Sequence, residues 1–277
     1  MLAAGKALQF IDQILGQLGW LYAASGFAVG FIVGMTGVGG GSLMTPVLVL
    51  LFGFHPASAV GTDLLYASLT KSGGTLVHHI GGTVEWRVMR LLAMGSVPAT
   101  IATLLVLGQH DLHAGGGMGK TISHVLGAAL ILTALSLLLR RTILRIGESV
   151  SAYFDHHRRR QAGATVVLGA TLGVLVSISS VGAGALGVTV LLLLYPKLPT
   201  VRIVGTDIAH AVPLTLVAGV GYSMLGSVNW PVLFSLLIGS LPGIALGSVV
   251  APRVPEVALR SILATLLAIV GLRLVLA

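Results

Sequence analysis

Cysteine is absent from the 277 residues, and only 9% of them are charged. The first absence excludes a disulfide framework and thiol chemistry. The second excludes a soluble globular domain, in which about a quarter of the residues carry a charge. Acidic residues are scarcest, eight against sixteen Lys and Arg, for a formal net charge of +8. That excess is not a nucleic-acid footprint, because the cations are scattered between apolar segments, with one dense cluster from Arg140 to Arg160. Aromatics make up 5% of the chain, whereas 55% is hydrophobic and the mean hydropathy is +1.00. The composition is that of a polytopic, all-α membrane protein.

A cleaved secretory signal is not expected in residues 1–16 either. Residues 1–16 mix Lys6, Gln9, Asp12 and Gln13 with apolar residues and have no continuous hydrophobic stretch, so a short interfacial helix is expected there. Apolar segments follow at about 17–36, 41–54, 57–80, 86–108 and 118–139, and again at 163–179, 183–195, 200–224, 230–251 and 255–276. Most approach the roughly 20 residues that span a bilayer. The second and the seventh are shorter and are expected to be half-helices.

The two groups of five match. A shift of 144 residues sets AVGTD (Ala59 to Asp63) on IVGTD (Ile203 to Asp207), GTVEW (Gly82 to Trp86) on GSVNW (Gly226 to Trp230), and GSVP (Gly95 to Pro98) on GSLP (Gly239 to Pro242). A shift of 143 sets GVGGG (Gly37 to Gly41) on SVGAG (Ser180 to Gly184). The expected fold is one integral membrane domain, 1–277, with repeat one at 17–139, a basic loop at 140–162 and repeat two at 163–276. Eight to ten hydrophobic segments in total are expected, with helices broken at the glycine-rich stretches.

Six arginines between Arg140 and Gln161 place that loop in the cytoplasm. Arg87, Arg90, Lys197, Arg202, Arg253 and Arg260 then fall at cytoplasmic segment ends, while Lys6, Lys120 and Arg273 lie outside. Each repeat crosses an odd number of times, so the second is expected to be inverted relative to the first, with both termini external. Trp86 and Trp230 sit at segment starts, where interfacial aromatics belong. The run from His156 to Arg160 suits anionic lipid headgroups.

Between the first two segments lies GMTGVGGGSLMTP, Gly34 to Pro46. Four of the five positions from Gly37 to Gly41 are glycine, each about 1 kcal/mol worse than alanine in a helix, so the helix breaks. Half-helix N-termini at such a break favour an anion, with Thr36, Ser42, Ser179 and Ser180 as added donors. Close packing through small residues is the competing explanation for a lone glycine motif. Two copies at matching places, each followed by a short segment, favour a substrate site. The candidate residues are Thr36, Gly37, Gly39, Gly40, Gly41 and Ser42 in the first copy and Ser179, Ser180, Gly182 and Gly184 in the second.

The third segment adds a polar stripe of Asp63, Tyr66, Thr70, Lys71 and His78 on one side of a helix, and the eighth carries Asp207, His210, Thr215 and Tyr222. Ionisable residues in a span default to function. Asp63 and Asp207 suit either a helix cap or a coupling site. Lys71, whose repeat partner is Thr215, is the best candidate for charge complementarity to an anion, with pairing to an aspartate as its rival. Asp63, Asp207, His78 and His210 are the candidate coupling residues, the histidines because they titrate near neutral pH. Pro98 and Pro242 are expected to kink their spans. His110, Asp111 and His113 lie in a Gly-rich loop without fixed geometry, so no metal site is expected, and no cofactor is implied.

The order of a glycine-rich break, a short apolar run, then GTD, GTVEWR, GSVPA and a degenerate second copy resembles the sulfite exporter TauE/SafE family of membrane permeases. The resemblance covers roughly residues 19–276. It implies transport of sulfite, a sulfonate or a related small sulfur-containing organic anion across a bacterial inner membrane. By analogy, Gly37 to Ser42 and Ser179 to Gly184 line the path. The reading is a secondary transporter working by alternating access. A cation/proton exchanger using Asp63 and Asp207 is the alternative. An intramembrane hydrolase is not expected, since no serine sits in GxSxG and VGTD has threonine where a GxGD motif needs glycine.

Overall fold

The computed structural model describes residues 19–36, 43–109, 117–139, 158–182, 184–250 and 256–276, and their regular structure is entirely helical. The first five helices are α1 (Trp20–Thr36), α2 (Met44–Leu50), α3 (Pro56–Ile80), α4 (Trp86–Gly108) and α5 (Gly117–Leu138). The second five are α6 (Arg158–Ser179), α7 (Ala185–Leu194), α8 (Thr200–Met224), α9 (Trp230–Val250) and α10 (Glu256–Leu276). Helix α6 starts at Arg158, within the stretch expected as loop, so Arg158, Arg159 and Arg160 form its first turn. Residues 1–16, Gly37, Gly39, Gly40, Gly41, Ser42, His110, Asp111, His113, residues 140–157 and Arg253 lie outside the described residues.

Helices α4, α5, α6, α8 and α9 are long and apolar enough to cross a membrane. Helix α3 is as long as α8, at 25 residues, but its polar stripe lowers its hydropathy. By contrast α2 has seven residues and α7 has ten, or about 10 and 15 Å of rise against a hydrocarbon core of roughly 30 Å. Both are half-helices, as expected. Exposed Leu69, Leu76, Met94, Leu105, Leu241 and Val249 form an outward apolar surface suited to lipid.

The repeated GTVEW and GSVNW motifs make the same turn. Gly82 and Gly226 take φ of +63° and +70° just after α3 and α8, a left-handed conformation that ends a helix and favours glycine. The next helix then starts at the tryptophan, half-exposed in both copies.

Packing pairs α1 with α9, α4 with α6, α3 with α8 and α5 with α10. Glycines set the closest approaches and reveal direction. In α1, Gly26, Gly30 and Gly34 meet the backbone of Leu236, Ser240 and Ile244 in turn, so α1 and α9 run parallel. Gly169 and Gly173 of α6 meet Leu92 and Ser96 of α4 in the same sense. A Cβ at Gly30 or Gly173 would lie 2.6 or 2.5 Å from a carbonyl oxygen, so these helices touch through backbone, as small-residue interfaces do in membranes. The central pairs differ. Along α3, Gly61, Gly74 and His78 face Ser227, Ile208 and Gly205, so α3 and α8 are antiparallel. Gly127 of α5 and Gly271 of α10, which are 144 residues apart, face each other directly. Under the repeat alignment α1/α9 exchanges with α6/α4, while α3/α8 and α5/α10 map onto themselves.

Candidate functional site

The break between α6 and α7 is described except at Ala183, and its described backbone is strained. Ser180 is the positive-φ residue other than glycine among those described, at 58°, and Gly182 and Gly184 take 123° and 130°. Ser179 and Ser180, both expected as donors, have different roles. The Ser179 hydroxyl donates to Leu175 O at 2.7 Å and accepts from Val181 N at 3.2 Å, so it is committed to closing the end of α6. Ser180 is buried, and its Oγ makes no hydrogen bond among the described residues. It lies close enough to Asp63 to interact with it. Tyr222 Oη donates to Ser177 O at 2.9 Å and so anchors the last turn of α6 to α8. In the first copy Thr36 is the last residue of α1, and its side chain lies outside the described residues, like Gly37 to Ser42.

Asp63 and Asp207 sit two turns inside α3 and α8, and neither helix has an acidic residue in its first turn. Neither aspartate therefore caps its own helix, which corrects one of the two readings of these residues. Asp63 instead reaches the start of α2. Its Oδ2 accepts from Thr45 N at 3.1 Å and from Thr45 Oγ1, while Oδ1 makes no hydrogen bond among the described residues. Asp207 reaches the start of α7. Its carboxylate packs against Gly187 so closely that a Cβ there would collide with Oδ1, and it interacts with the Gly184 peptide. Apart from that peptide, neither Asp207 oxygen meets a hydrogen-bond partner among the described residues.

Lys71 lies within electrostatic reach of both carboxylates. It is 6% exposed and interacts electrostatically with Asp207 and with Asp63. His210, wholly buried, bonds Ser96 Oγ through Nε2 at 2.8 Å, and its Nδ1 has no partner among the described residues. The buried cluster thus brings together Asp63 and Lys71 of α3, Asp207 and His210 of α8, Ser96 of α4, Thr45 of α2 and Ser180 of the break. His78 is not part of it. Half-buried at the far end of α3, it bonds Thr83 Oγ1 at 2.7 Å through Nδ1 and packs on Gly205. Thr215, which matches Lys71 in the repeat, turns its hydroxyl back to Ala211 O at 2.8 Å.

Two further residues of the cluster, Thr45 and Ser96, do not stand out in the sequence. Thr45 follows the glycine break directly and Ser96 lies in the repeated GSVP motif, so the signal that bears on each is its place in a motif and not its residue type.

Two joints connect the halves at either end of this cluster. Thr206 Oγ1 accepts from Glu85 N at 2.8 Å, and Thr62 Oγ1 accepts from Asn229 N at 3.0 Å. These are the same bond in the two copies, since Thr62 matches Thr206 and Glu85 matches Asn229. The first joint also carries an ion pair, Arg202 Nη1 to Glu85 Oε2 at 3.6 Å. Beside it the half-buried Tyr195 phenol bonds Thr165 Oγ1 at 2.7 Å. Burial pushes that phenol up, its bond to Thr165 and nearby Arg87 act the other way, and Glu85 adds slightly to the rise.

A family model described as sulfite exporter TauE/SafE matches residues 22–274. The chain is 35% identical over 231 residues to the probable membrane transporter protein YjnA of Bacillus subtilis strain 168, an alignment covering 80% of this chain and 86% of that protein. It is 27% identical over 227 residues to the probable membrane transporter protein YdhB of the same organism, covering 80% and 85%. A probable membrane transporter protein of Xylella fastidiosa strain Temecula1 is 25% identical over 232 residues, covering 80% and 81%. No solved structure matches the chain.

Proposed function

The chain belongs to the sulfite exporter TauE/SafE family of membrane transporters, and on that premise we propose that it is a permease for a small anion, sulfite, a sulfonate or a related sulfur-containing organic anion, in a bacterial inner membrane. The carrying observation is the buried Lys71 at the meeting of both halves, in electrostatic reach of Asp207, which itself lies at the start of a half-helix formed by strained backbone. A buried ammonium together with free N–H groups at a helix start is what desolvated oxyanions require. Ser180, whose hydroxyl lies beside Asp63, offers a further donor.

The packing supports the inverted repeat that alternating access uses. Helices α3 and α8, and again α5 and α10, are repeat mates that pack on each other, and α3 and α8 run in opposite directions. A pseudo-two-fold axis in the membrane plane demands that arrangement. The site lies near mid-membrane between the halves, and one half rocks against the other around it. The basic loop faces the cytoplasm and anionic headgroups, and both termini are external.

Flux in proteoliposomes loaded with one ion at a time tests this. Sulfite or methanesulfonate is expected to move, and Lys71→Ala to stop it. Movement of sodium but of none of these anions would favour cation/proton exchange through Asp63 and Asp207.

A further inference from the structure

We infer that Asp207 is the proton carrier of transport: its carboxylate and the substrate anion compete for Lys71, so that each negative charge moves together with a proton in the same direction. The inference rests on the anion reading of the site and adds the coupling chemistry to it.

The two aspartates occupy matching positions but have unlike surroundings. Asp63 Oδ2 accepts from both the Thr45 N–H and the Thr45 hydroxyl, donors that favour the charged form of a carboxylate. Asp207 has the Gly184 peptide as its neighbouring donor and no side-chain hydroxyl among the described residues, is wholly buried, and lies against a glycine that leaves no room for a side chain. Lys71 is its charge partner. Among the described residues, Lys71 on α3 is the charged group that acts on Asp207, with Asp63 also acting on Lys71 and Lys71 acting on His210 of α8. The described parts of α7 contribute none, and the basic residues of α4 and α6 lie at helix ends, in Arg87, Arg90 and Arg158 to Arg160.

With both carboxylates ionised the cluster holds two negative charges against one positive. When an anion takes Lys71, Asp207 is left as a buried charge without compensation, which is strongly unfavourable unless the group is neutralised. A proton from the open aqueous side adds to one Asp207 oxygen, no other bond changes, and the occupied site returns to its former net charge. Anion binding therefore raises proton affinity, and by reciprocity a proton raises anion affinity. Ligands that favour each other's binding cross together. Asp63, fixed to the first turn of α2 by its bonds to Thr45, is not the group that takes the proton in this scheme.

The test is methanesulfonate affinity of the detergent-solubilised protein as a function of pH, since this anion does not titrate near neutrality. The wild type is expected to bind about tenfold more weakly per unit rise in pH, D207N to show a slope near zero, and D63N to keep the wild-type slope. A wild-type slope in D207N, or loss of the slope in folded D63N, overturns the inference. Should D207N fail to fold, calorimetry of the wild type in two buffers of different ionisation enthalpy decides. Uptake of about one proton per anion supports the inference and uptake of none overturns it. If neither methanesulfonate nor sulfite binds the folded wild type, the anion reading itself fails and takes this inference with it. If only sulfite binds, the same slopes are measured after subtracting the anion's own proton.

Discussion

The joint at Glu85 and the joint at Asn229 are built on one shared bond and completed differently. In both, the backbone N–H that precedes a helix-starting tryptophan donates to a buried threonine of the other half. Asn229 then spends its side chain locally, with Oδ1 accepting from Val232 N at 3.1 Å and capping α9. Glu85 makes no cap on α4 and pairs with Arg202 of α8 instead. The residue that matches Arg202 in the repeat is Ser58. The bond that fixes the register of the halves is the same in both copies, while the side chain beside it has diverged. One joint stiffens its own helix and the other adds a charge contact between halves.

The largest effect that bears on this comparison lies in the matched helix pairs that carry the joints. Gly30→Leu and Gly173→Leu each drive a side chain into facing backbone, and each is expected to cost more than about 3 kcal/mol. Loss of the monodisperse peak in detergent would report it, and tolerance in one half alone would show that the halves do not depend equally on their pairs. Next come Thr206→Val and Thr62→Val, which leave a backbone donor unpaired for about 1–3 kcal/mol. Equal drops in melting temperature would confirm that the shared bond has the same weight at both ends. Asn229→Ala should then cost about 1 kcal/mol as a lost cap. Glu85→Ala should cost less, and the order of the two melting temperatures checks the difference directly. The smallest effect belongs to Glu85→Gln or Arg202→Gln. Their ion pair is 32% and 49% exposed, so about 0–1 kcal/mol is expected, shrinking as salt is added. A salt-independent loss of several degrees would mean that the pair carries more than its exposure allows.

Much of the fold was legible before any coordinates, because its signals are local. Hydropathy marks each segment, and the short runs after Ser42 and after Ala183 announce half-helices by length alone. The candidate site was legible in part. Lys71, Asp63, Asp207 and His210 stood out as ionisable residues in apolar spans, and they do come together. His78 stood out for the same reason and proved to belong to the Glu85 end, bonded to Thr83. Helical periodicity put it on the same side as Lys71 but could not say that the cluster ends before it.

What the sequence by itself determined is the membrane class, the repeated motifs, the order of helices and the break that follows Ser179. Each of these follows from composition, spacing or self-similarity along the chain. Only the tertiary structure decided what the polar residues face. Asp63 meets Thr45 across 18 positions and Ser96 meets His210 across 114. It also separated Ser179, which closes its own helix, from Ser180, which lies beside Asp63, and Asp63, which meets the Thr45 hydroxyl, from Asp207, which lies against the Gly184 peptide and Lys71. A periodic pattern says which side of a helix is polar. Which charge is satisfied depends on the helix packed against it, and that neighbour is fixed by the fold.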